Sequence, residues 1–227
     1  MNLTDIAAGK SNFVFLGEAG CGKSELAINL ALALAKEGKK PVHFFDLDMT
    51  KPLFRSRDAA DLLTAGGVNV HFQVQFYDAP TQVGGPGVLL RDKDCYTILD
   101  VGGDYMGASA VGGYSMLLQR TDSVVYYVVN PYRPWSMDLE HIDGVLSQVL
   151  GAAHLPLSQL QFVGNPNLGI RTTQEEVLEG LRHLKETLDG CVEVAFGCVW
   201  DELWPMEAEG LPLAPLHLYL TYPWEQT

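Results

Sequence analysis

Short apolar, β-rich runs alternate with stretches of helical period from one end of the chain to the other. The candidate strands are 12–16 (NFVFL), 41–47 (PVHFFDL), 68–74, 96–101, 123–129, 160–164 and 191–197, and the candidate helices cover roughly 22–37, 57–65, 108–120, 137–150 and 173–188. Several strands are apolar throughout rather than alternating, which is the pattern of a strand buried on both faces of a parallel sheet. The βαβα order points the same way. The expected fold is therefore α/β: a single-domain three-layer αβα sandwich around a mostly parallel, twisted sheet. Two stretches carry no obvious element. Residues 77–94 are rich in Gly and Pro and read as a loop with one short turn at most. The tail after Gly197 holds three of the four tryptophans, and its expected place is along the flank of the domain.

The most apolar helical run, LAINLALALA, is short, contains Asn29 and lies between Glu25 and Lys36, so it reads as a buried helix. No run reaches the roughly 18 apolar residues of a membrane span, and the first residues show no stretch apolar enough for a signal peptide. At 227 residues and 47% hydrophobic content, one well-buried core is expected, with no boundary splitting the chain in two. The formal charge of −13 disfavours nucleic acid and anionic lipid as partners. Cys21, Cys95, Cys191 and Cys198 form no C-x-x-C pair and read as reduced thiols of a cytoplasmic protein.

The strand at 12–16 runs into GEAGCGKS, Gly17 to Ser24, and then into a helix. This is the G-x-x-x-x-G-K-[ST] pattern in its strand–turn–helix context. Glycines at 17, 20 and 22 let the backbone turn its N–H groups onto phosphate oxygens, with Ala19 and Cys21 between them. The helix start adds its positive end. Lys23 can reach the outer phosphates, and the Ser24 hydroxyl can ligate Mg²⁺. A glycine-rich turn that binds nothing is the plainer alternative.

Acids fall where such a site needs them. The second strand ends at Asp46 and Asp48, and the fourth ends at Asp100, followed by Gly102 and Gly103. In a parallel sheet, ligands sit beyond the carboxyl ends of the strands. An Asp there can hold a metal-bound water, and the glycines allow the segment to move. Each Asp could equally be a strand-end turn or a helix cap.

Together, GEAGCGKS, the DLD at 46–48, the LDVGG at 99–103 and the VGNPN at 163–167 resemble the MinD/ParA/CobQ-type nucleotide-binding domain, from about residue 11 to residue 200. DLDMTKPLFRSRD is similar in particular to a segment of bacterial ATP-binding members. The resemblance implies ATP and Mg²⁺ as cofactors. It implies nucleotide binding by Gly17, Glu18, Ala19, Gly20, Cys21, Gly22, Lys23, Ser24 and Glu25. Ser24, Asp48 and Asp100 would surround the magnesium. Lys23 and Asp48 would act in catalysis, Asp48 on the attacking water. Asn165 would read adenine, unless it only opens an Asn-Pro turn.

Glu18 departs from that pattern. Dimeric members of the family carry a lysine there, reaching across to a partner's phosphates. A carboxylate about 4 Å from a phosphate charge would cost about 4 kcal/mol at an effective dielectric near 20. Glu18 is therefore expected to face away from the nucleotide, towards solvent or a base such as Arg55. Lys51, Arg55 and Arg57 could supply the missing cation, and Arg133 in NPYRP lies at another sheet edge. Three functions stand open: a slow ATPase switch acting on a protein partner, with a homodimer possible; a ligase or kinase of the dethiobiotin/cobyrinate-synthetase kind; and a nucleotide-binding regulator without turnover.

Overall fold

The computed structural model describes residues 1–48, 56–72 and 85–220; of Arg57 it describes the backbone alone. Eight strands form one sheet: β1 (Asn12–Gly17), β2 (Val42–Leu47), β3 (Val68–His71), β4 (Tyr96–Val101), β5 (Ser123–Val129), β6 (Leu160–Gly164), β7 (Val194–Trp200) and β8 (Leu213–Leu216). Their order is β3-β2-β4-β1-β5-β6-β7-β8, and every pairing is parallel. The helices are α1 (Lys23–Glu37), α2 (Ala60–Ala65), α3 (Pro86–Leu89), α4 (Tyr105–Gly112), α5 (Ser115–Leu118), α6 (Leu139–Ala153) and α7 (Gln174–Leu188). The expected α/β architecture is present.

The continuous apolar runs do what their pattern requires. β1, β4 and β5 are buried at every position, because helices cover both faces of the sheet. On one face Phe13, Phe15, Phe44 and Tyr126 pack against Leu26, Ile28, Leu30 and Leu34 of α1. On the other, Val14, Leu16, Phe45 and Tyr127 pack against α4 and α6 through Ala108, Val111, Ile142 and Leu146. Local chemistry sets the helix ends. Asp104 accepts the N–H of Gly107 to open α4, Asp138 accepts that of His141 to open α6, and Thr173 with Glu176 forms a capping box on α7.

Two expectations shift at the C-terminal side. β7 begins at Val194 and not at Cys191, because the N–H groups of Cys191 and Val192 close the end of α7 by donating to the carbonyl of Leu188. The tail contributes more than packing: Leu213–Leu216 pairs with β7 as an eighth strand. Pro215 is tolerated there because an edge strand leaves one side of its backbone unpaired. The Gly/Pro-rich loop is described from residue 85, where Pro86–Leu89 forms one short helical turn. Its earlier part, 77–84, lies outside the described residues. Among the described residues, no helix is long and apolar enough to cross a membrane.

Candidate functional site

β1 is the central strand of the switch in order, with β4 on one side and β5 on the other, so the loop leaving it opens between diverging connections. That loop is Glu18–Gly22. Gly22 caps α1 in the left-handed region, at φ 93°, and a side chain there would collide with the amide of Asn165. Three carbonyls of the loop meet partners. The Glu18 carbonyl accepts from the Cys21 N–H at 3.3 Å and lies 3.5 Å from Lys23 Nζ. The Gly20 carbonyl accepts from Arg133 Nε at 3.0 Å. The Cys21 carbonyl accepts from Asn165 Nδ2 at 2.8 Å. With those carbonyls engaged, the remaining N–H groups of the turn are available to form an anion cradle.

Lys23 and Ser24 are buried at the base of this cradle. Asp100, at the end of β4, is completely buried, and neither of its carboxylate oxygens receives a hydrogen bond, although the hydroxyls of Ser24 and Ser56 face it. Burial pushes its pKa up to about 6; Lys23 pulls it down and neighbouring Asp46 pushes it up. A buried carboxylate with both oxygens unmet, beside a P-loop serine, suits a cation: the donor set fits Mg²⁺. Among the described residues, no three His, Cys, Asp or Glu side chains converge on a metal position. A magnesium ion here would therefore depend on Ser24, phosphate oxygens and water, with Asp100 behind, as that ion commonly does.

Asp46 pairs in register with Asp100, and Asp46 Oδ1 accepts the Asp48 N–H at 2.9 Å. Asp48 is buried, and its carboxylate lies against Gly102. The next residue, Gly103, packs directly on the phosphate loop: a Cβ there would stand 2.7 Å from the Glu18 carbonyl carbon. The glycine pair after β4 and the phosphate loop thus touch. Asp48, Asp100, Lys23 and Ser24 gather at one end of the sheet.

Three sequence-derived residues have surroundings that the sequence did not specify. Glu18 does not face solvent; it is 6% exposed, with Oε2 buried and without a hydrogen-bond partner. Among the described residues, the charges that act on it through space are His141 of α6 and then Lys23, and burial holds its carboxyl above the usual range. Asn165 spends its NH₂ on the loop carbonyl of Cys21, which leaves Oδ1 buried and unpartnered. Glu25 turns its carboxylate from the cradle to the tail, accepting N–H groups of Tyr219 at 3.1 Å and Leu220 at 2.6 Å. Lys51 and Arg55 lie outside the described residues, as does the side chain of Arg57. Arg133 and His141 are the contacts that sequence reasoning undervalued. Their signal was place alone: both follow β5, at the same end of the sheet as the loop.

No family model matches the chain, and no curated protein does. Solved structures do. The signal recognition particle receptor FtsY from Elizabethkingia anophelis, in complex with GDP, is similar at a TM-score of 0.50 and 16% identity, over 88% of this chain and 60% of that one. A second structure of that FtsY gives 0.50 and 14%, over 88% and 61%. FlhF complexed with GMPPNP/Mg²⁺ gives 0.48 and 12%, over 83% and 66%. This chain spans about three fifths of the FtsY chains it matches. At such identity the likeness is one of fold, and the fold is the α/β P-loop fold.

Proposed function

We propose that this chain binds a nucleoside triphosphate with Mg²⁺ at Gly17–Ser24 and hydrolyses it slowly, as a conformational switch for a protein partner. The observation that carries the reading is Asp100: a fully buried carboxylate with two unmet oxygens, facing Ser24 at the foot of the phosphate loop. Such a group is costly to bury for stability alone. It repays its cost when a cation arrives.

The roles divide by chemistry. Loop N–H groups and Lys23 hold phosphate charge. Ser24 would ligate the metal, whose contribution is to neutralise charge on the phosphate oxygens. Asp48 would orient the attacking water. Gly102 and Gly103 join Asp100 to the loop, so loss of the last phosphate can be felt by α4. A homodimer, a cytoplasmic setting and a single domain remain parts of the same proposal.

Adenine is the proposed base. The FtsY and FlhF structures hold guanine nucleotides, so GTP is the second reading. Asn165 favours ATP. Its NH₂ is committed to Cys21, and a flipped amide would set oxygen against oxygen, so the free atom is an acceptor. An acceptor suits the adenine N6 amine and opposes the guanine O6 that stands at the same ring position. Calorimetric titration of ATP and GTP, each with Mg²⁺, into the wild type and Lys23→Ala tests both points. ATP is expected to bind more tightly than GTP, and Lys23→Ala to weaken binding tenfold or more. Asn165→Ala is expected to narrow the ATP preference. Equal affinity of wild type and Lys23→Ala ends the phosphate-loop reading, and a GTP preference ends the adenine one. Phosphate release from ATP without a co-substrate separates the switch from the ligase.

A further inference from the structure

We infer that Arg133 is a positioning residue of the phosphate loop: from the β5–α6 connection it holds the outward carbonyl of Gly20 and so fixes the loop in its anion-binding shape. The inference rests on the nucleotide reading above. Arg133 Nε donates to the Gly20 carbonyl at 3.0 Å, and its guanidinium lies beside that glycine, 3.5–3.9 Å from where a Cβ would stand. Among the described residues, Arg133 forms no ion pair with an acid. Its charge therefore serves the loop and not a carboxylate.

The segment that carries Arg133 is itself held from several sides. Asn130 Oδ1 accepts the Tyr132 N–H at 3.0 Å, and Asn130 Nδ2 donates to the Asn167 carbonyl at 2.8 Å. The Arg133 N–H donates to the Asn130 carbonyl at 3.0 Å, and the Arg133 carbonyl accepts from Ser136 at 3.0 Å. Tyr132 Oη donates to the Glu176 carbonyl on α7 at 2.6 Å. Pro131 and Pro134 restrict the backbone on either side. The guanidinium thus reaches Gly20 from a braced platform. Asn165, on the β6 exit, takes the next carbonyl, that of Cys21. Two adjacent outward carbonyls are held by two loops, and those loops are tied to each other through Asn130 and Asn167.

The physical consequence concerns the inward side. In a loop of this curvature, N–H groups face in only while the carbonyls face out. A free Gly20–Cys21 peptide can rotate, and glycine imposes no barrier to that. A charged donor on the carbonyl side opposes the flip. It also brings positive charge to a loop that Glu18 has made more negative. Because Arg133 grips the carbonyl side and not the phosphate side, its effect passes through loop shape. Di- and triphosphates should then feel it alike.

The test is calorimetric titration of ATP and ADP, each with Mg²⁺, into the full chain as wild type, Lys23→Ala, Arg133→Ala and Arg133→Lys. Arg133→Ala is expected to weaken both nucleotides by about tenfold, the scale of one charge-assisted hydrogen bond. Arg133→Lys should recover most of that loss, since an ammonium can also donate to the Gly20 carbonyl. Hydrogen exchange of the nucleotide-free chain reads the loop directly, and the amides of 20–23 should exchange faster in Arg133→Ala. Unchanged affinity, or unchanged exchange, overturns the inference. A loss confined to ATP also overturns it, because it would mark a contact with the third phosphate. A lysine variant no better than alanine removes the charged-donor role. If wild type and Lys23→Ala bind alike, the nucleotide reading has failed and this inference falls with it. If only Lys23→Ala loses affinity, the site stands and Arg133 has no part in it.

Discussion

Glu18 stands in the phosphate loop without a hydrogen bond to Oε2, its backbone against Gly103 and its carboxylate acted on through space by His141 and Lys23. Its carboxylate opposes a polyphosphate, and His141, whose pKa is raised chiefly by the hydrogen bond to Asp138, offsets part of that charge when protonated. Glu18→Gln keeps the shape and removes the charge. It is predicted to bind ATP·Mg²⁺ about three- to tenfold more tightly, with a smaller gain for ADP, as one repulsive pair of charges is removed. Calorimetry checks this, and a tenfold loss would show that the carboxylate is needed. The loop itself was legible in the sequence, because glycines at fixed spacing and a Lys-Ser pair admit few other uses. The direction of Glu18 was not legible. The groups around it come from distant sequence: Gly103, against its backbone, and His141, whose charge acts on it, lie 85 and 123 positions further on.

Elements meet at the site through close backbone contacts. The segment between β4 and α4 lies on the phosphate loop at Gly103, with no room for a side chain. Gly103→Ala must force the two apart, at about 1–3 kcal/mol if the chain still closes. It is predicted to lower the melting temperature and weaken nucleotide binding together; a variant with native affinity would show that the contact is not part of the site. At the far edge, His43 Nδ1 and His71 Nε2 lie 3.0 Å apart across β2 and β3. Burial lowers the pKa of both below the ordinary 6.5, and for His71 the neighbouring His43 adds to this. A histidine lowered on folding contributes stability above its unfolded pKa and loses it as pH falls towards the folded one. The melting temperature is therefore predicted to fall as pH drops below about 6.5, and less steeply in His71→Gln. Equal slopes would remove the pair from that account. Strand and helix existence was legible from apolar runs and helical period. The starts of β7 and β8 were not, because Cys191 and Val192 serve the end of α7 by backbone bonds that no side-chain pattern records, and because Pro215 reads against a strand until its edge position is known.

At the scale of the whole molecule, the sheet order sets the chemistry. Placing β1 between β4 and β5 brings the phosphate loop, Asp100 and Arg133 to one end, although they are spread over more than a hundred positions of sequence. The βαβα pattern indicated parallel strands, but the order of strands follows from packing over the entire chain and was not written in any one segment. The formal charge of −13 makes a further prediction: at physiological salt the chain should show no measurable retention on duplex DNA, because no surplus of cations is available to release counterions. The central claim is that one site joins the loop, Lys23, Ser24 and Asp100 around a nucleotide with its metal. The most direct measurement is a crystal structure with a non-hydrolysable ATP analogue and Mg²⁺. The account predicts the β-phosphate within the N–H groups of Gly20–Ser24, Lys23 on the outer phosphates, and the ion on Ser24 with Asp100 behind it. A nucleotide bound elsewhere, or a loop left empty at saturating ligand, would contradict it.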